Sequence, residues 1–330
     1  MTEFLGKNKP AKQIFGAIDL GSRNCRLLVS QKKVDQPLEH IDSVSRVVCL
    51  GEGVSRTGRL SKQAMDRAVD ALTYCVKRMR QHSPDRFRIV STEACRRAQN
   101  QAQFVKRVQR EVGIDLEVIS FEEEALFTLY GCSEMIAPKT DYALIFDIGG
   151  GSTEIIWAKI APEQKPELID CVSIPHGVVS LAESFRTNVL KNYQEVCEET
   201  YQIAKAFSEK NDIDHCALEK SVQFIGTSGT TTTIAAVHLN LRFYDRDKID
   251  GISLTFKEAE SVIKYIQLLS SEERLIHPCI GSSKDDLILG GLAIFDGIYR
   301  AWPQFSMTVT DRGVRDGIIY DLVNRHDTEI

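Results

Sequence analysis

The sequence predicts an α/β protein made of two related halves, each a mixed sheet flanked by helices. Three observations carry this expectation. A strand–turn–strand segment with aspartate and glycine at its turn occurs twice. The strands and helices after each copy follow a similar plan. The length of 330 residues allows two compact cores. In the second copy an apolar run reaches Asp147, breaks over Gly149, Gly150 and Gly151, and leaves through Ser152, Thr153 and Glu154 into Ile155, Ile156 and Trp157. Three glycines remove every Cβ from the turn, so backbone N–H groups can close around an anion. Carboxylates on either side suit a hard divalent cation. The β-branched and aromatic residues that follow make this a hairpin between strands, not a strand-to-helix phosphate loop. A plain glycine hairpin with a polar tip is the bland reading of this segment alone.

The first copy runs from Phe15 through Asp19, Gly21, Ser22, Arg23 and Asn24 to Val29. The two copies lie 128 positions apart (Asp147 minus Asp19). A third glycine loop, Gly226 to Thr230, leads into a predicted helix over 231–238, whose start also suits an anion. One such loop is weak evidence; three in this order are strong.

Between the hairpins, residues 44–50 read as a strand, followed by a polar glycine loop through Gly58. Ser61 caps a helix that carries Met65, Val69, Leu72, Val76 and Met79 on one face. A strand over 87–90 leads to Glu93, Arg96 and Arg97, then to a helix that Gly113 can stop. Residues 116–119 form a strand, a helix runs over 121–135, and Pro138 marks the crossing to the second half. There, strands are expected over 168–173, 222–225 and 307–310. Helices are expected over 178–185, 193–207, 257–269, 285–299 and 314–324. The chain thus divides at about 138, into 1–138 and 139–313, with a terminal helix over 314–330 free to pack back on the first unit.

Apolar content of 43% and charged content of 26% are ordinary for a globular protein. Nine scattered cysteines without a CxxC pair argue against disulfides or zinc and for a reducing compartment. No apolar run has the length of a membrane span, and the first residues carry no secretory pattern, so a cytoplasmic protein without membrane contacts is expected. The net charge of −5 hides a basic stretch, since residues 56–110 hold fourteen Lys/Arg against four Asp/Glu. Such a stretch is usually a solvated face, and it could also guide a polyanion. It lacks interleaved aromatics, which argues against nucleic acid.

Taken together, the segments 17–28, 91–96, 123–125, 147–154, 226–230 and 310–317 resemble the exopolyphosphatase/guanosine pentaphosphate phosphohydrolase family in its short two-domain form. The likeness covers nearly the whole chain. It implies two actin-like (ribonuclease H-like) domains with the active site in the cleft between them. It also implies a Mg2+-dependent hydrolase that releases orthophosphate from the end of inorganic polyphosphate. Guanosine pentaphosphate (pppGpp) is the alternative substrate. By the same resemblance, Glu124 is the base that prepares water, and Asp147 and Glu154 are associated with the metal, with Asp19 contributing. Gly21, Ser22, Arg23, Asn24, Arg96, Gly150, Gly151, Ser152, Thr153, Thr227, Ser228, Gly229 and Thr230 hold phosphate. A homodimer is expected by analogy.

Four positions depart from the family pattern. Arg23 stands where a small polar residue is usual, and Phe121 and Glu122 replace a glycine-containing approach. Leu126 and Lys284 stand where arginines are common. Rivals of other classes are an actin-like small-molecule kinase, for which Gly290 and Gly291 could form a nucleotide turn, and a non-catalytic (p)ppGpp sensor. His176, Trp157 and Trp302, with Cys25, Cys49 and Cys75, read as structural.

Overall fold

The computed structural model describes residues 12–182, 185, 189–281 and 285–328, which leaves Lys284 outside the described residues. The strands are β1 (Lys12–Leu20), β2 (Asn24–Lys33), β3 (Glu39–Val47), β4 (Arg86–Ser91), β5 (Glu117–Val118), β6 (Tyr142–Ile148), β7 (Thr153–Lys159), β8 (Glu167–Ile174), β9 (Val222–Thr227), β10 (Ser253–Leu254) and β11 (Met307–Thr310). They form two sheets, ordered β3-β2-β1-β4-β5 and β10-β11-β9-β6-β7-β8. Read from β8, the second sheet repeats the first and adds β10 at its edge. In both, the first three strands are antiparallel and the next two join in parallel. The duplication holds at single-residue register: Asp19 faces Arg26 on β2, and Asp147 faces Glu154 on β7.

Local signals explain most elements. Ser61 accepts from Ala64 N and starts the helix Lys62–Gln81. Gly113, at φ 71°, ends the helix Gln101–Val112. The sequence errs at β3, which lies earlier than residues 44–50. This edge strand is mostly exposed, so no apolar pattern marks it. Val48 and Leu50 instead bury beneath the first hairpin tip. There Val48 N and Cys49 N donate to Arg23 O, and Gly51 N donates to Ser22 O. Cys49 is itself partly exposed, while Cys25 and Cys75 are buried as expected. None of the nine cysteines forms a disulfide. No helix among the described residues is long and apolar enough to cross a membrane.

Two helices exchange sides to bring the sheets together. The helix Phe121–Cys132 belongs to the first half by sequence, yet it buries Ala125, Leu129 and Cys132 with Ile145 and Ile156 of the second sheet. The helix Val314–Thr328 comes last, yet Ile318, Ile319 and Leu322 pack with Phe15, Leu28 and Val90 of the first. They touch through glycine: a Cβ on Gly317 would fall 1.8 Å from Phe127 O, and one on Gly131 would fall 2.2 Å from Gly313 O. Backbone contact this close fixes where the cleft residues carried by both helices can stand.

Candidate active site

The two hairpin turns meet tip to tip at the ends of β1 and β6. A Cβ on Gly150 would lie 3.0 Å from Arg23 N and from Ser22 Cβ. A cleft of about 130 Å³ opens beside this contact. It is lined by Asp19, Gly21, Ser22, Arg23 and Asn24 from the first hairpin, and by Asp147, Gly150, Gly151 and Ser152 from the second. Thr227, Ser228, Gly229 and Thr230 come from the third loop, and Glu124 from the helix that crosses over. The third loop has little loop in it, because the helix Ser228–His238 begins at once. Ser228, not a glycine, takes the left-handed backbone at φ 79°, and its Oγ donates to Ile148 O at 2.7 Å. A strained non-glycine residue at a helix start facing a cleft is typical of binding sites.

Three expected site residues stand one layer behind the lining. Glu154 is 2% exposed and accepts from Ser152 Oγ at 2.6 Å and Ser173 Oγ at 3.1 Å. Thr153 Oγ1 donates to His176 O at 2.8 Å. Arg96 Nη1 donates to Glu124 Oε2 at 3.0 Å and to Ile119 O at 3.0 Å. The His176 ring pairs with Glu199, away from the cleft. Phe121 and Glu122 open an ordinary helix, with Ser120 Oγ accepting from Glu123 N. Gly290 and Gly291 lie within the helix Asp285–Ala301 against Leu181 and Thr230, so they are packing positions, not a turn. At least seven cations of the basic stretch are paired to carboxylates, among them Arg67, Arg78, Arg88 and Arg107.

Crowded carboxylates dominate the electrostatics. Burial raises Asp19 to about 6 despite the charge of Arg26. Burial also raises Asp147, again against Arg26. Glu154 is raised to about 7 by burial and then by Asp147. Glu124 is pushed well above the ordinary carboxylate range, first by burial and then by Glu154, with Arg96 opposing. Asp19 Oδ1 is buried without a hydrogen-bond partner among the described residues. A buried anionic oxygen of this kind fits a hard cation. Among the described residues no group of three His, Cys, Asp or Glu is arranged to enclose an ion. The fit is therefore to a cation held by one or two carboxylates that completes its shell with water and phosphate oxygens, as Mg2+ does.

Sequence reasoning missed other lining residues: Arg26, Thr92, Glu93, Arg312, Arg315 and Asp316. Arg26 left a signal, since the offset that relates Asp19 to Asp147 also relates Arg26 to Glu154. Arg312 and Arg315 reach the cleft only because the last helix returns to the first sheet, which no local pattern announces.

Comparison with known proteins agrees with this architecture. A putative exopolyphosphatase of Haemophilus influenzae is 27% identical over 313 residues, covering 93% of this chain and 90% of that protein. A guanosine-5'-triphosphate,3'-diphosphate pyrophosphatase of Aeromonas salmonicida is 29% identical over 96% of this chain, which spans only 61% of that relative's length. Among solved structures, the Ppx/GppA family member of Aquifex aeolicus superposes with a TM-score of 0.79 at 28% identity, covering 96% of this chain and 99% of that one. The sequence pattern of the Ppx/GppA phosphatase family matches residues 28–326, and the chain belongs to that family.

Proposed function

We propose that this chain hydrolyses the terminal phosphoanhydride of inorganic polyphosphate and releases orthophosphate. One observation carries the reading: two glycine hairpin tips, the carboxylates of Asp19, Asp147 and Glu124, and the start of a helix converge on a single cleft. Backbone N–H groups of the tips and of Ser228 to Thr230 would hold the phosphates. Arg26, Arg312 and Arg315, which line the same cleft, would offset their charge. Asp19 and Asp147 would hold a divalent cation such as Mg2+, with Glu154 adding negative charge from the layer behind them, and the cation when bound neutralises charge on phosphate oxygens. Glu124, with a raised proton affinity and Arg96 fixing its carboxylate, would take the proton from an attacking water. The new P–O bond forms as the bridging P–O bond breaks, and the shortened chain leaves with the electron pair on its bridging oxygen.

The same reading treats residues 1–138, completed by 314–330, as one domain and 139–313 as the other, in a cytoplasmic enzyme. The Aeromonas relative favours pppGpp as a second substrate through the same chemistry. Orthophosphate release from long polyphosphate, pppGpp and ATP, each with and without Mg2+, tests the reading. Polyphosphate turnover that needs no nucleotide is the expected result, and phosphate release from ATP alone would sink it. Glu124→Gln should lower kcat by about 10²–10⁴-fold while calorimetry still detects triphosphate binding.

A further inference from the structure

The cleft holds a further carboxylate, and it sits where an incoming anion needs room. Glu93 opens the short helix Glu93–Arg97 after β4, is 7% exposed and lines the cleft. Ser22 Oγ donates to Glu93 Oε2 at 3.0 Å, and Arg97 Nη1 donates to Oε1 at 2.9 Å. The same Oε2 presses on the second hairpin tip: a Cβ on Gly151 would fall 1.8 Å from it and 2.7 Å from Ser22 Oγ. One carboxylate oxygen therefore fills the space between the tips and engages the first-tip hydroxyl.

We infer that Glu93 is an internal anion occupying part of the phosphate cradle, so that a phosphoryl group entering between the tips must displace it. The inference rests on the functional reading above and deepens it: Glu93 sets how tightly the cleft grips the phosphates of its substrate. Two effects act in the same direction. A carboxylate a few ångströms from a phosphate repels it, and the buried setting of Glu93 weakens solvent screening of that repulsion. The Ser22 hydroxyl must also exchange one acceptor for another, so its bond to phosphate adds little net energy. Arg97 offsets the charge only in part, because its side chain is 43% exposed and its attraction is screened.

The competing explanation is a brace, in which Glu93 merely ties Ser22 to Arg97 and steadies the first tip. The two ideas predict opposite signs. A brace that is removed loosens the tip and weakens phosphate binding; a competitor that is removed strengthens it. Glu93→Gln keeps the volume and an acceptor for Ser22, so it preserves the fold while removing the charge. Glu93→Ala removes both. The probe is inorganic triphosphate, titrated calorimetrically into the wild-type chain and both variants, with KM for polyphosphate measured in parallel. The expected result is a Kd for triphosphate about tenfold lower in Glu93→Gln, the loss of one like-charge contact at this range, with KM falling alongside it. Unchanged or weaker binding in Glu93→Gln, with a Tm like that of the wild type, would overturn the inference. The two failures are distinguishable: triphosphate binding to none of the three proteins would defeat the functional reading itself, and the competitor with it.

Discussion

Glu124 and Arg96 show how one side chain can act on the cleft without lining it. The Arg96 guanidinium reaches Glu124 from behind and anchors to the carbonyl of Ile119 as well, so it fixes both the charge and the direction of the carboxylate. Burial raises the pKa of Glu124 and Arg96 lowers it. The form that accepts a proton is the carboxylate, so activity should rise with pH through the raised value. Arg96→Met removes the opposing charge and should move that rising limb to higher pH, about tenfold in rate at neutral pH for each unit of displacement. Arg96→Lys keeps the charge but loses the fork and should shift less. A pH–rate profile for kcat checks this, and a uniform loss at every pH would show that Arg96 serves some other purpose. The segment containing Arg96 resembled the family at the sequence level, but its position one layer back from the lining depends on where the helix Phe121–Cys132 lands.

At the scale of elements, the two exchanged helices couple the halves. Gly317 and Gly131 allow backbone contact that any side chain would block, and the atoms they face are carbonyl oxygens that cannot rotate away. Gly317→Ala should therefore destabilise the chain by about 1–3 kcal/mol or more, read as a lower denaturation midpoint. Because the contact also places Glu124, Arg312 and Arg315, activity should fall at temperatures where the variant remains folded. A variant with wild-type stability and turnover would mean that the helices are less closely coupled than their contact indicates. Helix ends were legible where a single residue decides them, as at Ser61 and Gly113. β3 was not legible, because an exposed edge strand needs no apolar alternation and its partner β2 supplies the pairing.

At the scale of the whole molecule, closing two halves over a cleft concentrates acid groups in a poorly hydrated space. Asp19 moves from 3.8 to about 6 and Glu154 from 4.5 to about 7. Over that window the folded chain keeps protons that the unfolded chain has lost, so stability should be highest at low pH and fall as pH rises toward 7, then level off. A divalent cation bound among these carboxylates would reverse the penalty by mass action. Thermal unfolding without metal should thus show Tm falling from pH 5 to 7, other titrations aside, and Mg2+ should raise Tm more at pH 8 than at pH 5. Equal stabilisation at both pH values would argue against a cation held by this cluster.

Glu124 stood out only through the family resemblance, whereas the duplicated hairpins, the glycine tips, the α/β class and the acidic residues Asp19, Asp147 and Glu154 at the turns were legible in the chain itself. Each of these depends on local chemistry: backbone freedom at a turn, side-chain period along a strand, or a cap at a helix start. That the tips touch, and that Glu93 lies between them, follows from the folded arrangement alone. Those facts come from residues distant in sequence, brought together by the parallel pairing of β1 with β4 and by the packing of one half on the other. Contacts of that kind are set by shape and by the burial of whole faces, which no short stretch of chain encodes.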